Sequence, residues 1–89
     1  MQKHPALVAL GKRIRELRQE RGYSQEDFAN EIGLDRSYYG GIERGERNVA
    51  ALNLILIAKK LKAEVGDLFP DIGQLPAPRP RRRGAQRVV

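Results

Sequence analysis

Eighty-nine residues leave room for one small domain, which buries only about 60–70% of its unfolded surface and is marginal unless it oligomerises or is stapled. The absence of cysteine excludes a disulfide staple, and the lone histidine, His4, leaves no basis for a zinc site. The net charge of +6 is uneven: residues 1–69 hold 12 Lys/Arg against 10 Asp/Glu, and the remainder holds five arginines against Asp71, a balance that suits nucleic acid or an acidic membrane surface.

No apolar run approaches the roughly 18–20 residues of a membrane span, and no signal-peptide core opens the chain. The expected setting is the cytoplasm, in association with the nucleoid and without membrane contact. Enzymatic chemistry has little to work with. There is no thiol, His4 reads as an exposed residue at a frayed end, no glycine-rich phosphate loop is present, and the carboxylates alternate with Lys and Arg as solvated charge does. No cofactor is expected.

Four or five short helices and no strand are expected between residues 5 and 69, an all-α domain spanning residues 1–70. A first helix from Pro5 to Arg21 opens on proline, carries Leu7, Leu10, Ile14 and Leu17 at spacings of three and four, and stops before Gly22. Ser24 is a cap for a second helix, with Asp27 three residues on as a weakened capping box; Phe28, Ala29 and Ile32 form its buried side and Gly33 ends it. Asp35 caps a third helix that reaches about Arg44 before Gly45. A fourth runs from Ala51 to Lys62 with Leu54, Ile57, Ala58 and Leu61 as its core stripe, and a short fifth from Glu64 to Phe69 ends at Pro70. Lys62 stands where a glycine would end the helix more easily, and neither Ala50 nor Glu64 is a serine-like cap, so these two ends are less sharply written. Residues 71–89, with Pro76, Pro78, Pro80 and Arg81-Arg82-Arg83, lack apolar periodicity and read as a disordered tail, which adds phosphate contact, is passive or takes part in oligomer contacts.

The window Gln25–Arg44 carries the functional signal. Two helices crossing through a three-residue turn need a small residue where the backbones approach, a left-handed turn residue and apolar residues to lock the crossing. Ala29 is the small residue, Gly33 the turn, and Phe28, Ile32, Leu34, Tyr39 and Ile42 the lock.

On these residues the stretch Leu10–Phe69 resembles the Xre/Cro/C1-type helix-turn-helix family of DNA-binding regulators. Within it, Leu34-Asp35-Arg36-Ser37-Tyr38, Gly41-Ile42-Glu43-Arg44 and Arg47-Asn48 are similar to controller proteins of restriction–modification systems. The resemblance implies a compact five-helix domain and a homodimer on a palindromic duplex operator. It also implies DNA contacts from Arg36, Ser37, Tyr38 and Arg47, and a buried ion pair between Arg18 and Glu43.

Arginine can bond guanine O6 and N7 together, so Arg36 and Ser37 at the start of the third helix suit base edges in the major groove. Gln25, Arg44, Arg47 and Asn48 are placed for phosphates, Arg44 being equally readable as a solvated charge. On a helical wheel Gly40 and Gly41 fall on the groove side. Either they permit close approach, with Gly40 against the bases and DNA shape sharing in specificity, or Gly41 only relieves crowding. Leu52, Ile55 and Leu56 lie outside the core stripe and, with Val65 and Phe69, suggest a dimer face; the tail or first helix is the alternative cover. A second function stays open, an antitoxin that holds a toxin on this apolar patch as well as its own promoter. An RNA-binding protein would need an aromatic stacking surface that the chain lacks. Activation or repression turns on operator position and on any contact with RNA polymerase.

Overall fold

The computed structural model describes residues 3–71 and 73. Four helices pack around one core: α1 Pro5–Glu20, α2 Gln25–Glu31, α3 Arg36–Glu43 and α4 Ala51–Leu61, followed by a 3-10 turn at Val65–Leu68; no strand occurs among the described residues. The expected tail lies outside the described residues except at Asp71 and Gly73.

The helix starts follow the side chains. Ser24 Oγ accepts from the Asp27 amide at 3.0 Å and Asp35 Oδ2 from the Tyr38 amide at 3.0 Å, each satisfying one orphan donor for roughly 1 kcal/mol. His4, expected as a bystander, caps α1: its Nδ1 accepts from the Ala6 amide at 3.0 Å.

All four helices end in the same hydrogen-bond pattern. The left-handed residue donates three back and the next residue donates five back, as in Gly45 N to Ile42 O and Glu46 N to Gly41 O. Gly22, Gly33 and Gly45 fill the left-handed slot, but α4 puts Lys62 there at φ 58°. A side chain in that region costs about 1–2 kcal/mol, part of which glycine gives back as extra freedom of the unfolded chain. Lys62→Gly is therefore expected to stabilise the domain by about 1 kcal/mol, read as a higher denaturant midpoint at unchanged slope.

The expected fifth helix is a single 3-10 turn. Asp67 N bonds Glu64 O and Phe69 N bonds Gly66 O, while Phe69, preceding Pro70, is extended at ψ 148°. Proline disfavours helical geometry in the residue before it, so no room remains for a longer-range turn. Its start is better made than the sequence suggests. Glu64 accepts from the third residue's backbone while Asp67 Oδ2 accepts from the Glu64 amide at 3.1 Å, a reciprocal capping box.

The core joins the expected stripes: Leu10, Ile14 and Leu17 of α1, Phe28 and Ala29 of α2, Tyr39 and Ile42 of α3, and Leu54, Ile57, Ala58 and Leu61 of α4, closed by Leu68. Phe28 sits between Tyr23 and Tyr39, with ring centroids at 5.4 and 5.3 Å. Burying each large side chain contributes roughly 1.5–3 kcal/mol, and the aromatic contacts fix the α2–α3 crossing. Leu52, Ile55 and Phe69 remain outside it, 68%, 51% and 46% exposed, with Leu56 at 38%. Val65 differs from these, being partly buried against the core.

Candidate nucleic-acid interface

Two glycines define how closely α3 is held. Gly11 of α1 packs against the end of α3, where a Cβ would lie 2.3 Å from Ile42 O and 2.5 Å from Glu43 O; Gly45 packs against Val8, whose Cα would be 2.7 Å from a Cβ there. Backbone-to-backbone contact on one side leaves the other side of α3 outward.

Glu43 locks this placement from within. It is 7% exposed, as is Arg18. Arg18 Nε donates to Glu43 Oε2 at 2.6 Å and Nη2 to Oε1 at 3.1 Å, while Nη1 donates to Tyr23 O at 2.7 Å. Tyr39 Oη donates to Glu43 Oε2 at 2.5 Å and Gln25 Nε2 to Oε1 at 3.0 Å. Burial pushes the Glu43 carboxyl up, but the hydrogen bonds from Arg18, Tyr39 and Gln25 outweigh it and hold the group below the ordinary carboxylate range. The hydrogen bond to Glu43 raises Arg18, against desolvation. Burial, then the bond to Glu43, keeps the Tyr39 phenol protonated well beyond its usual range. The expected Arg18–Glu43 pair is thus present, within a network that also takes in α2 through Gln25.

On the outer side, Arg36 and Ser37 are exposed in the first turn of α3. Tyr38 is half-buried; its Oη accepts from Asn53 Nδ2 of α4 at 3.3 Å, and the Arg47 guanidinium carbon lies 5.8 Å from its ring centroid. Arg44, Arg47 and Asn48 are exposed in the segment after α3. Arg44 Nε donates to Glu46 Oε1 at 3.1 Å, and Glu46 also lies 3.8 Å from Lys3 Nζ, a solvated arrangement worth no more than about 1 kcal/mol.

The glycines depart from the helical-wheel expectation. Both are buried, because side chains of the same surface fold across them. A Cβ on Gly40 would meet Arg44 Nη1 at 3.0 Å and Gln25 Oε1 at 3.4 Å, and one on Gly41 would meet Arg47 Cγ at 2.9 Å. The structure therefore brings Gln25, Gly40 and Arg44 together in one group and Tyr38, Gly41 and Arg47 in another. The apolar residues Leu52, Ile55 and Leu56 sit on α4, and Val65 and Phe69 at the 3-10 turn.

Two contributors escape the sequence reading. Asn53 carried no motif signal. Gly11 carried one, since glycine inside a helix costs about 1 kcal/mol relative to alanine and calls for a packing reason. Among the described residues no cluster of His, Asp or Glu could hold a metal, and no helix is long and apolar enough to cross a membrane.

Residues 14–68 match the family model described as helix-turn-helix. The chain is 44% identical over 66 residues to the control protein C.MunI of a Mycoplasma species, covering 73% of this chain and 89% of that one. Among solved structures it resembles the restriction-modification controller protein C.AhdI from Aeromonas hydrophila, with 52% identity, a TM-score of 0.68, and coverage of 71% and 96%. It also resembles the biofilm master regulator SinR in complex with DNA, with 33% identity, a TM-score of 0.64, and coverage of 66% and 95%. These relatives are regulators rather than enzymes, and they do not favour the antitoxin reading. With its two crossed helices, its outward α3 and these relatives, the chain belongs to the helix-turn-helix family of DNA-binding transcriptional regulators.

Proposed function

We propose that the protein is a controller-type regulator that binds a palindromic duplex operator as a homodimer, in the cytoplasm and on the nucleoid. Arg36, Ser37 and Tyr38 face base edges; Gln25, Arg44, Arg47 and Asn48 take phosphates. The observation that carries this reading is the outer surface of α3, where Arg36 and Ser37 stand exposed in the first turn and Arg47 lies over Tyr38. Similarity to C.MunI and C.AhdI supports the controller role.

Dimerisation uses the exposed Leu52, Ile55, Leu56 and Phe69, with Val65 at the margin. A two-fold axis through this face sets two α3 helices about 34 Å apart, one turn of B-DNA. Gly40, beneath Arg44, leaves that arginine room to lie close to the groove. Contact with RNA polymerase would come from the surface left outward once both α3 helices are docked.

Binding to a panel of duplexes over a salt series tests the assignment. Arg47→Ala is expected to weaken every duplex alike and to reduce the salt slope by about one. Arg36→Ala is expected to lose about 1–3 kcal/mol on the preferred sequence and little on others. Identical effects of the two substitutions would overturn the division into base and phosphate contacts.

A further inference from the structure

Alanine in place of either glycine of α3 would favour the helix, yet both positions are occupied from above by arginines. At Gly41 the occupant is a stem. A Cβ there would lie 2.9, 3.3 and 3.6 Å from Cγ, Nε and Cδ of Arg47. At Gly40 the nearest atom is only the guanidinium tip of Arg44, at 3.0 Å. A tip can swing aside while the rest of its side chain stays put. A stem laid along the helix cannot move without carrying its guanidinium with it.

From this seat the Arg47 guanidinium carbon reaches 5.8 Å from the Tyr38 ring centroid, and Tyr38 is itself held by Asn53. An arginine over an aromatic face is attracted to it, and a rotamer-rich side chain fixed before binding loses less entropy on contact with DNA.

We propose that Gly41 is a positioning residue for DNA binding: its missing side chain is the seat that lays Arg47 along α3 and holds its guanidinium over Tyr38. This rests on the reading of Arg47 as a DNA contact. Gly41 touches no DNA and acts through Arg47 alone.

A double-mutant cycle tests it. Wild type, Gly41→Ala, Arg47→Ala and the double variant are titrated against a labelled duplex recovered by selection from a random pool, over a salt series, with the unfolding midpoint of each measured alongside. Gly41→Ala is expected to keep or raise its midpoint, to bind roughly tenfold more weakly, and to lose salt slope as Arg47→Ala does. The double variant is expected to bind within about twofold of Arg47→Ala, since no stem remains to displace. The proposal is overturned if Arg47→Ala weakens binding while Gly41→Ala binds like wild type, or if the Gly41→Ala loss recurs undiminished without Arg47. A Gly41→Ala chain that loses its fold also overturns it, the glycine then being a packing requirement of α3. Wild-type binding by Arg47→Ala instead defeats the reading of Arg47 as a DNA contact, and the positioning role falls with it.

Discussion

Replacing Glu43 with glutamine is expected to lower the unfolding free energy by about 3–5 kcal/mol, because Arg18 is left charged, buried and without its counter-ion. The carboxylate accepts from Arg18 twice, from Tyr39 and from Gln25, so a neutral amide loses more than one bond. For a domain of this size the loss is a large part of its whole stability. Arg18→Met combined with Glu43→Leu is expected to recover part of it, since an apolar pair of similar volume removes both charge-desolvation costs but leaves the Tyr39 hydroxyl, Gln25 Nε2 and Tyr23 O without their partners. Urea unfolding of the three variants at neutral pH measures this, and a Glu43→Gln loss below about 1 kcal/mol would contradict it.

The same network sets a pH dependence. The folded Glu43 carboxyl titrates below its ordinary 4.5, so its contribution is complete above that pH and is lost as pH falls through the lower, folded value. Tyr39 has the opposite sign. Its folded phenol titrates above its ordinary 10.0, so its contribution is complete below pH 10 and fades as pH rises towards the folded value. Wild type is thus expected to lose stability more steeply in acid than Glu43→Gln does.

Gly11→Ala carries the other large effect. A methyl group there would lie 2.3 Å from Ile42 O and 2.5 Å from Glu43 O, backbone atoms that move only if α3 moves. Helix propensity returns about 1 kcal/mol, against overpacking costs that run to about 3 kcal/mol and beyond for rigid neighbours. A net loss of about 2 kcal/mol is expected in urea unfolding, with weaker DNA binding because α3 is pushed outward. The contrast with Gly41 is physical, since an arginine stem can leave and a carbonyl oxygen cannot. A Gly11→Ala protein as stable as wild type would show that α1 and α3 can separate without penalty.

The fold was legible where periodicity and caps agree. Phe28, Ala29, Tyr39 and Ile42 are the residues the crossing demands, Ser24 and Asp35 cap as their chemistry suggests, and all lie in the expected places. The expected fifth helix failed because a helical reading of six residues ignored how firmly Pro70 extends Phe69. The outer surface was legible in part. Arg36 and Ser37 could be placed from the register of α3 alone, but the glycines could not. A helical wheel assigns a residue to a face without showing which long side chain folds back across it, and Arg44 and Arg47 do so here. The links from Asn53 to Tyr38 and from Gln25 to Glu43 join separate helices, and no spacing within one helix encodes them.

Selection of bound sequences from a random duplex pool tests most directly whether the surface from Gln25 to Asn48 reads DNA as a symmetric pair. Enriched duplexes are expected to carry two inverted half-sites with centres about one helical turn apart, ~34 Å along the axis, and Arg36→Ala should blur one position of each half-site equally. Enrichment of a single asymmetric site, or no enrichment at all, would contradict a dimer that reads its operator through α3.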